Sequence, residues 1–469
     1  MKPFQNEKLS LHLYLQKTQR SAVATLCRSS HFRYTVHRKC VARCVEVTIN
    51  GLPIDTHKAI QNQMNNTIAP TAEKQRYIIL DALRGFALLG ICLANFPEFG
   101  LWTFLSREAQ EAMPTAHADD AVRFLQYMLV DAKFYSIFSI LFGIGFSIIL
   151  SHAEERGRSG IRLFYRRMLT LFAIGIAHLL LLWSGDILAL YAVGGMLLPL
   201  VRKLSNRRLL IVAAACVSLP IFVDAWQELA GVSIASSIES AWWAKAYSYG
   251  ITEENFASWL RDADSYLGVH QFLMQGAIER LYEFVDGHRL LKVLGLFIIG
   301  YIIGRNRLYA RLADNKRRIS KAFFISLSVG IPSSILYAFS ATSGHCWGLA
   351  IHSLLYALSA YPTALAYITA FSLFYLRTPK SLCLNILSKP GRMALTNYLC
   401  QSLCGIALYY GIGFSLGLSM GLWQIELTAI AVFLCQICCS YLWLRYFRYG
   451  IVEWLWRMIT YRRWLNPCR

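Results

Sequence analysis

Long apolar runs separated by short charged stretches set the pattern of this chain. Between Lys321 and Arg377, 55 consecutive positions carry no Lys, Arg, Asp or Glu, and from Met393 to Leu444 the only such residue is Glu426. Uncharged apolar stretches of about 18 residues or more have the length of membrane-crossing helices. The runs predict an all-α fold, a polytopic transmembrane helical bundle of about ten spans. Their cores fall at 78–96, 134–150, 168–183, 187–201, 209–224, 290–304, 322–340, 350–376, 394–412 and 424–444. The turn Ser184-Gly185-Asp186 makes the third and fourth spans a helical hairpin. The eighth carries Pro362, so a kink or tilt is expected there.

Charge orients the spans. Loops 151–167, 202–208, 305–321 and 377–392 and the tail from Arg445 are rich in Lys and Arg, whereas the alternating loops, including the longest, 225–289, are neutral or acidic. Cytoplasmic loops carry the excess of Lys and Arg. All five basic segments fall on one side when there are ten spans with both termini cytoplasmic. The cluster Trp443, Trp454, Trp456 and Trp464 reads as an interfacial anchor at the last membrane exit. Loop 225–289, with Trp226, Trp242, Trp243 and Trp259, is expected to hold short helices that lie on the membrane or cap the bundle.

Composition narrows the class further. The chain has 469 residues, is 56% hydrophobic and 16% charged, and has a mean hydropathy of +0.40. Soluble proteins carry about a quarter charged residues, so a cytosolic enzyme, a disulfide scaffold and a disordered chain are all excluded. The net charge of +20 is accounted for by cytoplasmic loops and implies no nucleic-acid partner; the partner it does imply is the lipid bilayer. Cys400, Cys404, Cys435, Cys438 and Cys439 lie in apolar runs and read as small core hydrophobes. The Cys435–Cys438 pair lacks a second ligand pair, so no metal site is expected.

Residues 1–76 form a basic N-terminal extension, with twelve Lys or Arg, four acids and no run long enough to span. Cys27, Cys40, Cys44, His31 and His37 lie close together there but match no zinc-finger spacing. No signal-peptide pattern is present. Met64 opens a short polar lead into the first span, and the expectation is that translation starts there. Intact mass of the native protein tests it, and a peptide from residues 1–63 would refute it.

Ionisable residues inside spans are costly and mark partners, cavities or substrates. In Leu80-Asp81-Ala82-Leu83-Arg84-Gly85, Asp81 and Arg84 share one helix face. They read either as a simple pair at the cytoplasmic end or as an arginine ready to hold a phosphate or carboxylate. Asn95 lies about 16 Å further along the same helix. In the hairpin, His178 is close in sequence to Asp186. A carboxylate beside an imidazole fixes its tautomer and raises its basicity, as a general base requires. Asp186 also reads as the N-cap of the fourth span. Lys133, in Asp131-Ala132-Lys133-Phe134, is expected to anchor the second span at the outer interface, and Gly143 and Gly145 to allow close helix packing. Gly391-Arg392-Met393-Ala394-Leu395-Thr396-Asn397-Tyr398-Leu399-Cys400-Gln401-Ser402 brings Arg392, Asn397 and Gln401 to the inner end of the ninth span, for ligand binding or for interhelical hydrogen bonds.

The runs LDALRGFALLGICLANF, KFYSIFSILFGIG, HLLLLWSGDILALYA, GRMALTNYLCQS and WLRYFRYGIVEWLWRMITY resemble the YeiB-like family of bacterial inner-membrane proteins, domain of unknown function 418, over residues 77–463. The resemblance implies a bacterial inner-membrane location, a loose association with transport and a distant relation to membrane acyltransferases. One branch of those enzymes has an arginine, ten residues and a catalytic histidine; here Arg84 is followed after ten residues by Asn95. His178 is then the remaining intramembrane histidine candidate.

Two function classes follow. In the first, cytoplasmic acyl-CoA is the co-substrate. It docks near Arg84 and Arg392, His178 oriented by Asp186 acts as base or acyl carrier, and Asn95 or a backbone amide steadies the oxyanion. Asn397 completes the ligand-binding set, the acceptor is an envelope glycan or lipid hydroxyl, and no bound cofactor is expected. In the second, a small-solute transporter or exporter, the same groups line a pathway and His178 couples to protons.

Overall fold

A computed structural model describes residues 77–155 and 160–468. The Met64 start, the Cys and His residues of the extension, and Arg156 and Arg158 of the first basic loop lie outside the described residues. The fold is all-α: α1 (Ile78–Phe99), α2 (Arg107–Glu111), α3 (Ala116–Leu129), α4 (Lys133–Glu154), α5 (Gly160–Leu181), α6 (Leu188–Val201), α7 (Asn206–Ala230), α8 (Ser236–Ser248), α9 (Phe256–Asp262), α10 (Tyr266–Asp286), α11 (Arg289–Arg305), α12 (Lys316–Thr342), α13 (Leu349–Arg377), α14 (Leu382–Arg392), α15 (Ala394–Tyr409), α16 (Leu422–Tyr446) and α17 (Ile451–Tyr461). Among the described residues seven stretches are long and apolar enough to cross a membrane, or eight when α10 and α11, bent by 63° at their junction, count as one. The fourth and ninth expected spans are short helices, α6 with 14 residues and α15 with 16. Pro362 lies inside α13, a single helix of 29 residues.

Backbone contact at glycine fixes the core. A Cβ on Gly85 of α1 would stand 1.9 Å from the Leu387 carbonyl oxygen, and one on Gly391 would stand 1.8 Å from that of Asp81. The backbones of α1 and α14 therefore touch, an approach only small residues allow. Gly143 of α4 meets Phe297 and Tyr301, Gly300 of α11 meets Ile140, and Gly304 meets Ser147. Paired positions rise together along both chains, so α4 and α11 run parallel. Gly145, by contrast, has open space beside it.

The segment between α7 and α11 caps one end of the bundle. It is built of 13-, 7- and 21-residue helices, the last longer than the short helices expected. Ile251, Leu260, Val269 and Phe272 share one buried cluster with Phe96 and Phe99 of α1, Trp183 and Tyr409, so hydrophobic burial holds the cap down.

Two expectations are overturned. Lys133 is not an interfacial anchor: its side chain is fully buried, Nζ donates to the Tyr127 carbonyl at 2.6 Å, and it lies 5.1 Å from the centre of the Tyr337 ring. The left-handed turn at Ala132 (φ 63°) places it inward, against α12. Cys435, Cys438 and Cys439 are exposed on the outer face of α16 rather than in the core, since a lipid-facing surface is as apolar as a protein interior.

Candidate functional site

Three side chains from two distant parts of the chain meet in a buried line. His178, in the last turn of α5, places Nδ1 2.9 Å from Asp186 Oδ1 and Nε2 2.8 Å from Ser402 Oγ. All three are at most 2% exposed. With Asp186 as an acceptor-only carboxylate, the neutral imidazole carries its proton on Nδ1 and accepts the Ser402 hydroxyl at Nε2. This is the order of a nucleophile, its base and the base's orienting carboxylate.

Local chemistry explains the placement. The turn Ser184-Gly185-Asp186 is tight, because a Cβ on Gly185 would collide with the Trp183 indole at 2.0 Å. Asp186 Oδ2 accepts the Ala189 backbone N–H at 2.8 Å, so this carboxylate caps α6 while its other oxygen holds His178. Tyr398, one turn before Ser402 on α15, packs its ring 5.3 Å from the imidazole and Trp183 packs at 6.0 Å. The Tyr398 hydroxyl is buried and makes no hydrogen bond of ordinary geometry among the described residues.

Beside the turn lies a cavity of about 350 Å³, lined by Glu98, Ser184, Gly276, Glu279, Arg280 and Glu283 among others. Arg280 Nε donates to the Ser184 carbonyl at 2.8 Å, and its terminal nitrogens meet Glu98 at 3.3 Å and Glu283 more closely. Neither His178 nor Ser402 lines the cavity; Ser184, between His178 and Asp186, links the two.

The remaining candidates lie apart from the relay. Arg84 pairs with Asp81 at 2.6 Å, three residues away. Asn95, half-buried, stands next to the cavity-lining Ala94, and its side chain makes no hydrogen bond to the described residues. Arg392 donates to the Arg448 carbonyl at 3.4 Å. Asn397 Nδ2 donates to Pro390 O and Ser440 Oγ, and Gln401 donates to Gln436, which in turn donates to the Asn397 carbonyl. These amides tie α15 to α16. Close by, Glu453 of α17 accepts the Leu395 and Thr396 backbone N–H groups at 2.7 and 3.1 Å, bracing the start of α15. Burial raises the Glu453 carboxyl above its ordinary value, and its hydrogen bonds to Thr396 and Leu395 oppose the shift.

Sequence reasoning missed Ser402 as a reacting group. It is 224 residues from His178, and its only signal was its place in the polar run of α15. Among the described residues no group of three His, Cys, Asp or Glu side chains could hold a metal ion.

Fold and site together define an all-α protein with several membrane-length helices and a buried Ser–His–Asp relay. A family profile described as "Protein of unknown function (DUF418)" matches residues 303–463. The chain is 30% identical over 409 residues to the "Uncharacterized 39.9 kDa protein in amylase 3'region" of Bacillus acidopullulyticus, covering 84% of this chain and 96% of that one. It is 28% identical over 411 residues to the "Uncharacterized protein YxaH" of Bacillus subtilis (strain 168), covering 85% and 98%. To the "Uncharacterized protein YeiB" of Escherichia coli (strain K12) it is 29% identical over 419 residues, covering 83% and 97%. The chain belongs to the YeiB-like DUF418 family.

Proposed function

We propose that this protein is a membrane acyltransferase that carries the acyl group on Ser402. The observation that supports it is the relay, with Nε2–Oγ and Nδ1–Oδ1 distances of 2.8 and 2.9 Å. Ser402 Oγ attacks the carbonyl carbon of an acyl thioester while its proton passes to His178 Nε2. The carbon–sulfur bond breaks, and the leaving thiolate takes that proton. In the second half, an acceptor hydroxyl gives its proton to His178 and its oxygen attacks the acyl-serine; Ser402 leaves and recovers the proton. Asp186 stabilises the imidazolium in both halves.

The donor in this reading is cytoplasmic acyl-CoA, its phosphates held at the Arg84 and Arg392 end of the bundle. Ser402 lies eight positions into α15 from Ala394, about 12 Å of helix, so the donor's thioester must reach inward by about that much. The acceptor, an envelope glycan or lipid hydroxyl, takes the cavity beside Ser184, where Glu98, Glu279 and Glu283 offer acceptors for hydroxyl groups. The reading uses ten crossings of a bacterial inner membrane (α1, α4–α7, α11–α13, α15 and α16) with both termini cytoplasmic, as the basic loops favour.

A second reading, a small-solute transporter, has its own support. The relay is closed to the cavity, and α10 and α11 form a helix pair broken by 63°, a geometry that lines transport sites.

The test is incubation of detergent-purified protein with radiolabelled acetyl-CoA, following free CoA and label on Ser402. Wild type is expected to release CoA and take up label, and Ser402→Ala and His178→Ala to lose both while melting as folded proteins. Wild type that neither releases CoA nor takes up label at millimolar acetyl-CoA sinks the acyltransferase, and vesicle transport assays then decide the second reading.

A further inference from the structure

A second buried polar centre lies away from the relay, where α4 and α11 begin. The two helices run parallel and in contact, so Lys133 at the first position of α4 stands level with Arg289 at the first position of α11. Each helix is entered through a left-handed non-glycine residue, Ala132 (φ 63°) and His288 (φ 48°), and neither start has a side-chain cap. Unsatisfied N–H groups at helix starts favour anions.

Three cations surround these starts. The Arg289 guanidinium lies 5.6 Å from the Tyr135 ring centre, the Lys292 ammonium 4.1 Å from that of Tyr356, and Lys133 Nζ 5.1 Å from that of Tyr337. The tyrosines join them into one cluster: the Tyr135 and Tyr356 hydroxyls share a hydrogen bond, and the Tyr337 and Tyr356 ring centres are 5.7 Å apart. Lys292 is 8% exposed. A buried ammonium has three N–H donors, and Lys292 gives none of them to an oxygen among the described residues.

The carboxylates nearby do not close the cluster. Asp131 accepts the Tyr337 hydroxyl at 2.6 Å, and Asp224 accepts His288 Nε2 at 2.8 Å together with Ser353 and Gln227. Asp286 is within electrostatic reach of Lys292. No carboxylate oxygen of the described residues comes within 4.0 Å of a side-chain nitrogen of Lys133, Arg289 or Lys292. Buried charges are ordinarily paired, and unpaired ones are costly. Two uncapped helix starts and three cations that lack a direct carboxylate partner share one chemistry, recognition of a multi-oxygen anion.

We propose that the paired starts of α4 and α11, with Arg289 and Lys292, form a binding site for a phosphate group, separate from the Ser402 relay. The group comes either as free phosphate or as the headgroup of an anionic phospholipid entering between the helices. The bend before α11 belongs to this site, since it aims the α11 start at the cluster.

Two measurements on the detergent-purified full chain test this. Thermal melting in inorganic phosphate is compared with chloride at matched ionic strength, and native mass spectrometry after exposure to phosphatidylglycerol is compared with phosphatidylcholine. Wild type is expected to be protected by millimolar phosphate or to retain phosphatidylglycerol selectively; the first outcome assigns free phosphate, the second the headgroup. Lys292→Met and Arg289→Gln are each expected to weaken the effect at least tenfold, Lys292→Arg to keep most of it, and Ser402→Ala to leave it intact. Equal behaviour in phosphate and chloride together with no lipid preference in wild type overturns the site, leaving water as the partner of these cations. Binding undiminished in a folded Lys292→Met also overturns it. If Lys292→Met fails to fold, Arg289→Gln and the wild-type comparison decide.

Discussion

Two buried polar centres among the described residues solve the same problem in opposite ways. In the relay each side chain completes its neighbour: Ser402 donates to His178, His178 donates to Asp186, and Asp186 accepts a backbone N–H as well. In the cation cluster Lys133, Arg289 and Lys292 rest on tyrosine rings and make no close ion pair among the described residues. Burial costs a polar group little when its hydrogen bonds are made and much when they are not. The relay therefore contributes to holding the bundle together, whereas in the cluster Lys292, which gives no N–H to an oxygen of the described residues, is a net cost.

The largest effect that tests this contrast is at Asp186. Asp186→Ala strips both His178 and the first turn of α6 of their acceptor, and is expected to cost about 3 kcal/mol, read as a lower melting temperature in detergent. A loss under about 1 kcal/mol would break the comparison. Ser402→Ala removes one donor and leaves Nε2 unpaired, for an expected loss of about 1–2 kcal/mol. Lys292→Met should go the other way. Without phosphate or anionic lipid, replacing the buried ammonium with an apolar side chain of similar length is expected to be neutral or to stabilise by about 1 kcal/mol. A clear loss there would mean that the cluster is as complete as the relay.

The smallest effect comes from Glu453, a third buried polar group. Its folded pKa is raised by burial above the ordinary 4.5. The stability this contributes is present below pH 4.5 and is lost as pH rises through the folded value. The melting temperature of wild type is expected to fall more steeply over that window than that of Glu453→Gln.

The sequence made the apolar helices legible because freedom from charge is a local property. The His178–Asp186 contact was legible for the same reason, since the pair lie eight positions apart across one turn. Ser402 was not: a serine in an apolar helix looks alike whether it donates to its own backbone or to a histidine 224 positions away. Lys133 was misread because an ammonium at the end of an apolar run has one sequence signature for two fates. Tyr337, more than 200 residues on, decides between them. The exposed cysteines of α16 show a further limit, as hydropathy does not separate a protein interior from lipid.

Asp186 serves as helix cap and as histidine partner at once, and this gives the site an unusual genetic signature. A chain that loses this carboxylate weakens the start of α6 with it, so the protein should fall in abundance in the cell as well as in activity. Selection on folding alone would then preserve half of the relay, and surveys of damaging variants would file Asp186 under stability while Ser402, with one hydrogen bond at stake, would emerge as the position where abundance and activity part company.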